Sequence, residues 1–290
     1  MGGLARRARY VEAFREKFKD IATLHVDIGH IFQEDFSVPL REDFEVMNKW
    51  VLKGFSRFKL DAVNLSHHDL AYCTYAFGAA FKQLSQETPV IENLITANAA
   101  PSTPDKTVAT PKPYLISEVT LPRLNRRLKV GFIGLTEEPI SSNPNRAFVV
   151  VDPIQQLKQV LPQVRAKSDL VVVLAYVKPD VAKQLAQQNA GIDVILAANH
   201  LAQPPDASRE GKTIIAYAWQ QTKSIGELRL YLDSSGKVVD YMNRYLVLDK
   251  SIPDEPEAAK LVLQAKAAID EAKSHMDKKA NTTSIARPGF

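Results

Sequence analysis

The run Leu65-Ser66-His67-His68-Asp69-Leu70 sets two adjacent histidines and an aspartate directly behind the apolar residues Ala62, Val63 and Leu65, in a chain with only 6 histidines. His30 follows an earlier run that closes on Asp27, Ile28 and Gly29, and Asn199 with His200 follows the later run DVILAA. Imidazole, carboxylate and amide groups converging from separate strand ends are the side chains that hold hard or borderline divalent metals, and a metal pair can activate water against a phosphate ester. One histidine of the pair then ligates a metal while the other steadies the leaving group or the phosphoryl oxygens. Thr136, Glu137 and Glu138, and Tyr176 with Lys178, also stand just behind apolar runs.

These residues need an alternating scaffold, and the hydrophobic spacing supplies one. Leu4, Ala8, Val11, Phe14 and Phe18 recur at helical spacing, and residues 23–28 read as a short strand. Phe44, Met47, Trp50, Val51, Gly54, Phe55 and Phe58 share a second helical face, followed by strand 62–65, a third helix near 71–85 and a strand at 89–95. The Pro-rich stretch 99–113 reads as loop and splits the chain into halves. The second half offers two β-rich runs, YLISEVTL and RLKVGFIGL, and a helix at 153–167. Strand DLVVVLAY, a helix at 179–189 and strand IDVILAA follow, then KTIIAYAW, GELRLYLD and VVDYMNRYLVL, the last two joined by a Ser-Ser-Gly hairpin turn. Residues 254–276 read as a helix, with Ala258, Leu261, Ala265, Ala268, Ile269 and Ala272 on one stripe that packs by its first half. Alternation implies a largely parallel sheet with antiparallel strands added, and ligands gather beyond the carboxyl ends of such strands.

Composition narrows the function classes. A net charge of +4 over 290 residues gives no electrostatic reason to expect nucleic acid. Cys73 is the only cysteine, which excludes an intramolecular disulfide and a cysteine-built metal site. The longest apolar runs are too short to span a bilayer, and the amino terminus has no signal-peptide character. His25 and His275 read as structural or solvated and Glu137 and Glu138 as solvated, while Arg6, Arg7 and Arg9 read as a solvated helix face.

Eight segments in order resemble the calcineurin-like metallophosphoesterases, specifically the amino-terminal domain of the 5′-nucleotidase and 2′,3′-cyclic phosphodiesterase group. They are GGLARRA, DIGHIF, the run 47–70 ending in LSHHDL, ITAN at 95–98, KVGFIGLT, SDLVVVLAY, DVILAANH and TKSIGELRLYLD. The resemblance implies an α/β fold, a four-layer α-β-β-α sandwich with mixed sheets, lacking the family's first strand. It divides the chain into a metallophosphoesterase-like domain over 1–252, a linker-type helix over 253–277 and a disordered tail over 278–290.

Position by position, the resemblance also implies an altered site. The family's bridging aspartate in D-x-G-D falls on His30, and its G-N-H-D segment falls on Ser66, His67, His68 and Asp69. Tyr176 takes the place of a ligating histidine, and the final G-H-x-H becomes Ala198, Asn199, His200 and Leu201. His68 and Asp69 are thus the expected catalytic residues, and His30, His67, Asn199 and His200 the expected metal set. The expected cofactor is one weakly held divalent ion, zinc or manganese, or none. Two functions compete: a binding or interaction module with an eroded dimetal site and weak or absent hydrolysis, or an active phosphomonoesterase with a histidine-rich site. The expected partner is a phosphorylated small molecule or another protein domain, and the implied location is periplasmic or otherwise extracytoplasmic.

Overall fold

The computed structural model describes residues 3–33, 41–70, 88–101, 111–137, 148–198, 205–219 and 223–285. The chain opens with helix α1 (Leu4–Lys17) and strand β1 (Val26–Asp27). Helix α2 (Glu42–Ser56) and strands β2 (Ala62–Asn64) and β3 (Leu94–Ile95) follow. The three strands form a parallel sheet in the order β1-β2-β3. Only β3 of the expected strand at 89–95 is extended. Pro89–Asn93 form a 3-10 turn, where a proline with fixed φ and no N–H suits the first position and cannot serve a ladder.

Strand β4 (Ala99–Pro101) lies inside the stretch expected to be loop, and it pairs antiparallel with β7 (Phe148–Val150). The Pro-rich stretch therefore does not divide the chain into two cores. Residues 102–110, and the helix expected at 71–85, lie outside the described residues.

A six-stranded mixed sheet carries the second half, in the order β10-β11-β9-β8-β6-β5. Its members are β5 (Tyr114–Leu121), β6 (Arg126–Thr136), β8 (Leu170–Tyr176), β9 (Val194–Ala197), β10 (Ser208–Glu210) and β11 (Thr213–Tyr217). β6, β8, β9 and β11 run parallel, and the edge strands β5 and β10 run antiparallel to their neighbours. Strand β8 is buried along its whole length, which is why LVVVLAY reads as a continuous apolar run.

Helices α3 (Pro153–Arg165) and α4 (Pro179–Gln188) cover one face of this sheet, burying Leu157, Val164 and Leu185 against Val171, Val173 and Ile195. On the other face Phe132, Val172 and Leu174 pack with Ala62 and Ile95 of the three-stranded sheet. Leu228, Leu230 and Tyr241 join them from the hairpin of β12 (Ser224–Leu232) and β13 (Val238–Val247). Outside the small sheet, Leu52, Phe55 and Phe58 of α2 and its following turn cluster with Val63, Leu65 and Leu94.

The two sheets approach closely at Gly134, where a Cβ would lie 2.6 Å from Asn64 Oδ1 and 2.7 Å from the Ile95 carbonyl oxygen. Only hydrogen fits there.

Helix α5 (Pro256–Ile285) runs past the expected boundary at 277. It packs on α1 and α2 by more than its first half: Ala258 and Ala272 are both buried, and His275 and Lys279 lie 3.6 and 3.5 Å from Glu42. The buried and half-buried positions Leu261, Ala265, Ala268, Ala272 and Met276 recur at spacings of three and four, so the contact surface does not end midway.

Candidate functional site

The described strand ends of both sheets meet at one place. His30 follows β1, His67 and His68 follow β2, Thr136 ends β6 and Tyr176 ends β8. Parallel strands put these ends on the same edge, so residues distant in sequence become neighbours.

Two buried amides stitch the sheets together behind the site. Asn64 Nδ2 donates to the carbonyls of Ile28 (2.9 Å) and Leu135 (2.8 Å), tying the end of β1 to β6. Asn98 Nδ2 donates to the carbonyls of Thr136 and Val151, both at 2.7 Å, and Thr136 N donates back to Asn98 Oδ1 at 2.9 Å. Thr136 Oγ1 in turn accepts from His67 N at 2.9 Å.

Asp69 is fully buried and serves as the hub of the turn. Its Oδ2 accepts from Ser66 N (2.8 Å), Ser66 Oγ (2.7 Å) and His30 N (2.6 Å), and its Oδ1 from Ile31 N (2.7 Å) and Phe32 N (2.9 Å). Burial pushes its carboxyl above the usual carboxylate range, against the pull of the Phe32, Ser66 and His30 donors. Both oxygens are engaged in holding backbone, so the geometry gives Asp69 a positioning part. The turn it holds is strained: Gly29 has φ +112° and His30 φ 60°, a left-handed conformation that a side chain disfavours.

Above this clamp the rings form a cluster. His30 stacks on His68 with centroids 4.2 Å apart and planes 16° apart, and His67 lies 4.0 Å from His68 at 38°. All three present to Tyr176 in edge arrangements, with centroids 5.7 to 5.9 Å from its ring. His30 Nδ1 and the buried Tyr176 hydroxyl are 3.1 Å apart, a hydrogen bond whose direction follows the imidazole tautomer.

A metal does not fit this arrangement of the His30 and His68 rings. An imidazole lone pair lies in the ring plane, so an ion shared by two histidines must lie in both planes at about 2.0–2.1 Å from each nitrogen. Planes 16° apart in a stack meet far beyond that reach. Among the described residues no three His, Cys, Asp or Glu side chains are grouped to hold a metal ion. The structure thus brings His30, His67, His68, Asp69 and Tyr176 together, while Asn199, His200, Leu201 and Glu138 lie outside the described residues.

Two other assignments change on contact with the structure, and that of His25 holds. Arg7 is not on a solvated face: it is 6% exposed, and its Nη1 donates to Asp27 Oδ2 at 2.9 Å. The sequence signal was there, since Leu4, Arg7, Val11, Phe14 and Phe18 are spaced by three and four. Glu137 is paired rather than solvated, with Lys178 Nζ at 3.2 Å and Lys178 N donating at 2.9 Å. His25 is structural, and burial together with the Arg7 charge lowers its pKa to about 3.

The chain is an α/β protein with mixed sheets, structurally similar to the amino-terminal domain of 5′-nucleotidases. It superposes on the Thermus thermophilus 5′-nucleotidase precursor with a TM-score of 0.70 and 19% identity, over 93% of this chain and 54% of that one. On sulfate thiohydrolase SoxB of Thermus thermophilus the TM-score is 0.73 with 15% identity, over 95% and 48% of the two chains. In sequence it is 23% identical to the snake venom 5′-nucleotidase of Naja atra in an alignment of 302 positions that covers 94% of this chain and 53% of that protein. The chain is a distant homologue of the 5′-nucleotidase family, over the amino-terminal metallophosphoesterase domain. No family model matches it. The chain spans no more than about half the length of the curated relatives it matches.

Proposed function

We propose that this protein keeps the 5′-nucleotidase-like frame as a binding or interaction module, with an eroded dimetal site and little or no phosphoester hydrolysis. The observation that carries this reading is the stack of His30 on His68, at the position where the family resemblance puts a bridging carboxylate. A dimetal phosphoesterase needs a carboxylate there to hold two ions about 3.5–4 Å apart around a shared nucleophile. A stacked imidazole offers neither the negative charge nor the converging lone pairs. The described carboxylates beside these strand ends are already engaged, Asp27 by Arg7, Asp69 by five donors and Glu137 by Lys178.

The layering of helices α3 and α4, the large sheet, the small sheet with its hairpin, and the outer helices supports the four-layer sandwich reading. In that frame His68 is the group suited to contact phosphoryl oxygens. His30 and His67 are the described members of the set that the resemblance implies for metal, and at most one weakly held zinc or manganese ion is expected of that set. The ligand class is a phosphorylated small molecule or a segment of another protein domain, in an extracytoplasmic setting as the resemblance implies. Among the described residues no helix is long and apolar enough to cross a membrane.

Elemental analysis of the purified protein, with a nitrophenyl phosphate assay in manganese or zinc, tests the reading. Sub-stoichiometric metal and turnover near background are expected. Two tightly held metals, with turnover abolished by His68→Ala, would overturn it in favour of an active phosphomonoesterase with a histidine-rich site.

A further inference from the structure

We propose that Arg7 is a positioning residue for the histidine cluster, acting through Asp27. The inference rests on the reading that the cluster is the functional site. It is carried by a chain of contacts that starts on helix α1 and ends at the backbone of Gly29, the residue before His30.

The Arg7 guanidinium lies over the rings of Phe55 and Phe58, 5.2 and 5.0 Å from their centroids. A charged group under such a roof persists only when it is paired. Its Nη1 holds Asp27 Oδ2 at 2.9 Å, and its Nη2 is 3.1 Å from His25 Nε2. Guanidinium has no acceptor, so His25 Nε2 accepts, and the imidazole proton sits on Nδ1, 3.4 Å from the Phe58 carbonyl oxygen. Arg7 is thus fixed from three sides and in turn fixes the rotamer of Asp27.

The second oxygen of Asp27 accepts from Gly29 N at 3.2 Å, the two-residue reach of an Asx turn. Gly29 is pressed against the end of β2: a Cβ there would lie 2.9 Å from Ser66 N and 3.0 Å from the Asn64 carbonyl oxygen. The next residue is His30, in its left-handed conformation. The strained turn therefore has two tethers, Asp69 from the β2 side and Asp27 from the α1 side, and Arg7 sets the second. No ring of the cluster is needed to explain the Arg7 contacts, so a shift of those rings on Arg7 substitution reports transmission through Asp27.

Side-chain carbon–proton NMR of the full chain in metal-free buffer tests this without any ligand. Arg7→Met keeps the stem over the two phenyl rings and removes the fork. Asp27→Asn keeps size and leaves one oxygen to serve both Arg7 and Gly29. In each variant the Cε1–Hε1 signals of His30, His67 and His68 are expected to shift from their wild-type positions while that of His275 stays. The double variant is expected to shift them no further than either single one. A folded single variant with the three signals at wild-type positions, whatever its melting temperature, would overturn the proposal, as would a double variant whose shifts are the sum of the two. Asp27→Asn keeps the test decisive if Arg7→Met does not fold. Because no metal or phosphate is added, these outcomes are independent of whether the protein hydrolyses phosphoesters.

Discussion

The two sides of the candidate site are held by different physics. The side contributed by β1 and β2 comes from strands of two and three residues, too short to fix their own ends. Their histidines are placed by buried and half-buried carboxylates and amides, chiefly Asp69, Asp27 and Asn64. The side contributed by β6 and β8 comes from strands of 11 and 7 residues, locked by a parallel ladder and by apolar burial. Thr136 and Tyr176 simply continue those strands. Polar clamping makes the histidine side sensitive to single hydrogen-bonding changes, whereas the sheet side spreads its stability over many contacts.

Four substitutions or conditions sharpen that contrast, in order of expected size. Asp69→Ala removes the acceptor of five hydrogen bonds and leaves buried backbone N–H groups without it. Chemical denaturation is expected to show a loss of more than about 4 kcal/mol, each stranded group costing roughly 1–3 kcal/mol before relaxation. A loss under about 1 kcal/mol would mean that the clamp does not hold the turn.

Leu157→Ala, in the fully buried contact between α3 and the large sheet, is expected to lower stability by about 3 kcal/mol. Here the site should not move: the His30, His67 and His68 ring signals should stay at their wild-type positions. Displaced rings would show the two sides to be one mechanical unit.

The third is acid sensitivity at His25. Its folded pKa is about 3, against 6.5 in the unfolded chain, so between these values the unfolded state binds more protons and stability falls as pH falls. The contribution is complete above pH 6.5 and fully lost only below about 3. One such group removes roughly 2 kcal/mol between pH 7 and pH 5. Comparing wild type with His25→Gln by denaturation at both pH values should show a shallower decline in the variant. Equal declines would place the acid sensitivity elsewhere.

Smallest is Lys178→Ala, which breaks the pair with Glu137 beside β8. With the lysine side chain 55% exposed, the change should stay within about 0.5–1 kcal/mol. A larger loss would make this end of the sheet a polar clamp as well.

The contrast also explains which elements were legible. Strands β6, β8, β9 and β11 and helices α1 to α4 announce themselves by apolar periodicity, because each buries a face or a whole strand. β4 and β10 do not, since three residues carry no period and exist only by pairing with β7 and β11. Glu137 read as solvated because its partner Lys178 is 41 residues away and reaches it only when β6 and β8 lie side by side.

That histidines and an aspartate stand behind apolar runs, and that the runs alternate with helices, is legible from the order of residues. Hydrophobic spacing and residue type are local properties, and both survive without any knowledge of neighbours. The tertiary structure alone decided what those residues do together. Asp69 turns inward because five donors from two segments meet there, and His30 stacks on His68 because the end of β1 is drawn onto the end of β2. Arg7 leaves the solvent because Asp27 and two phenyl rings wait beneath α1. Each outcome depends on the direction of a side chain relative to a partner distant in sequence, and a linear pattern carries no such direction.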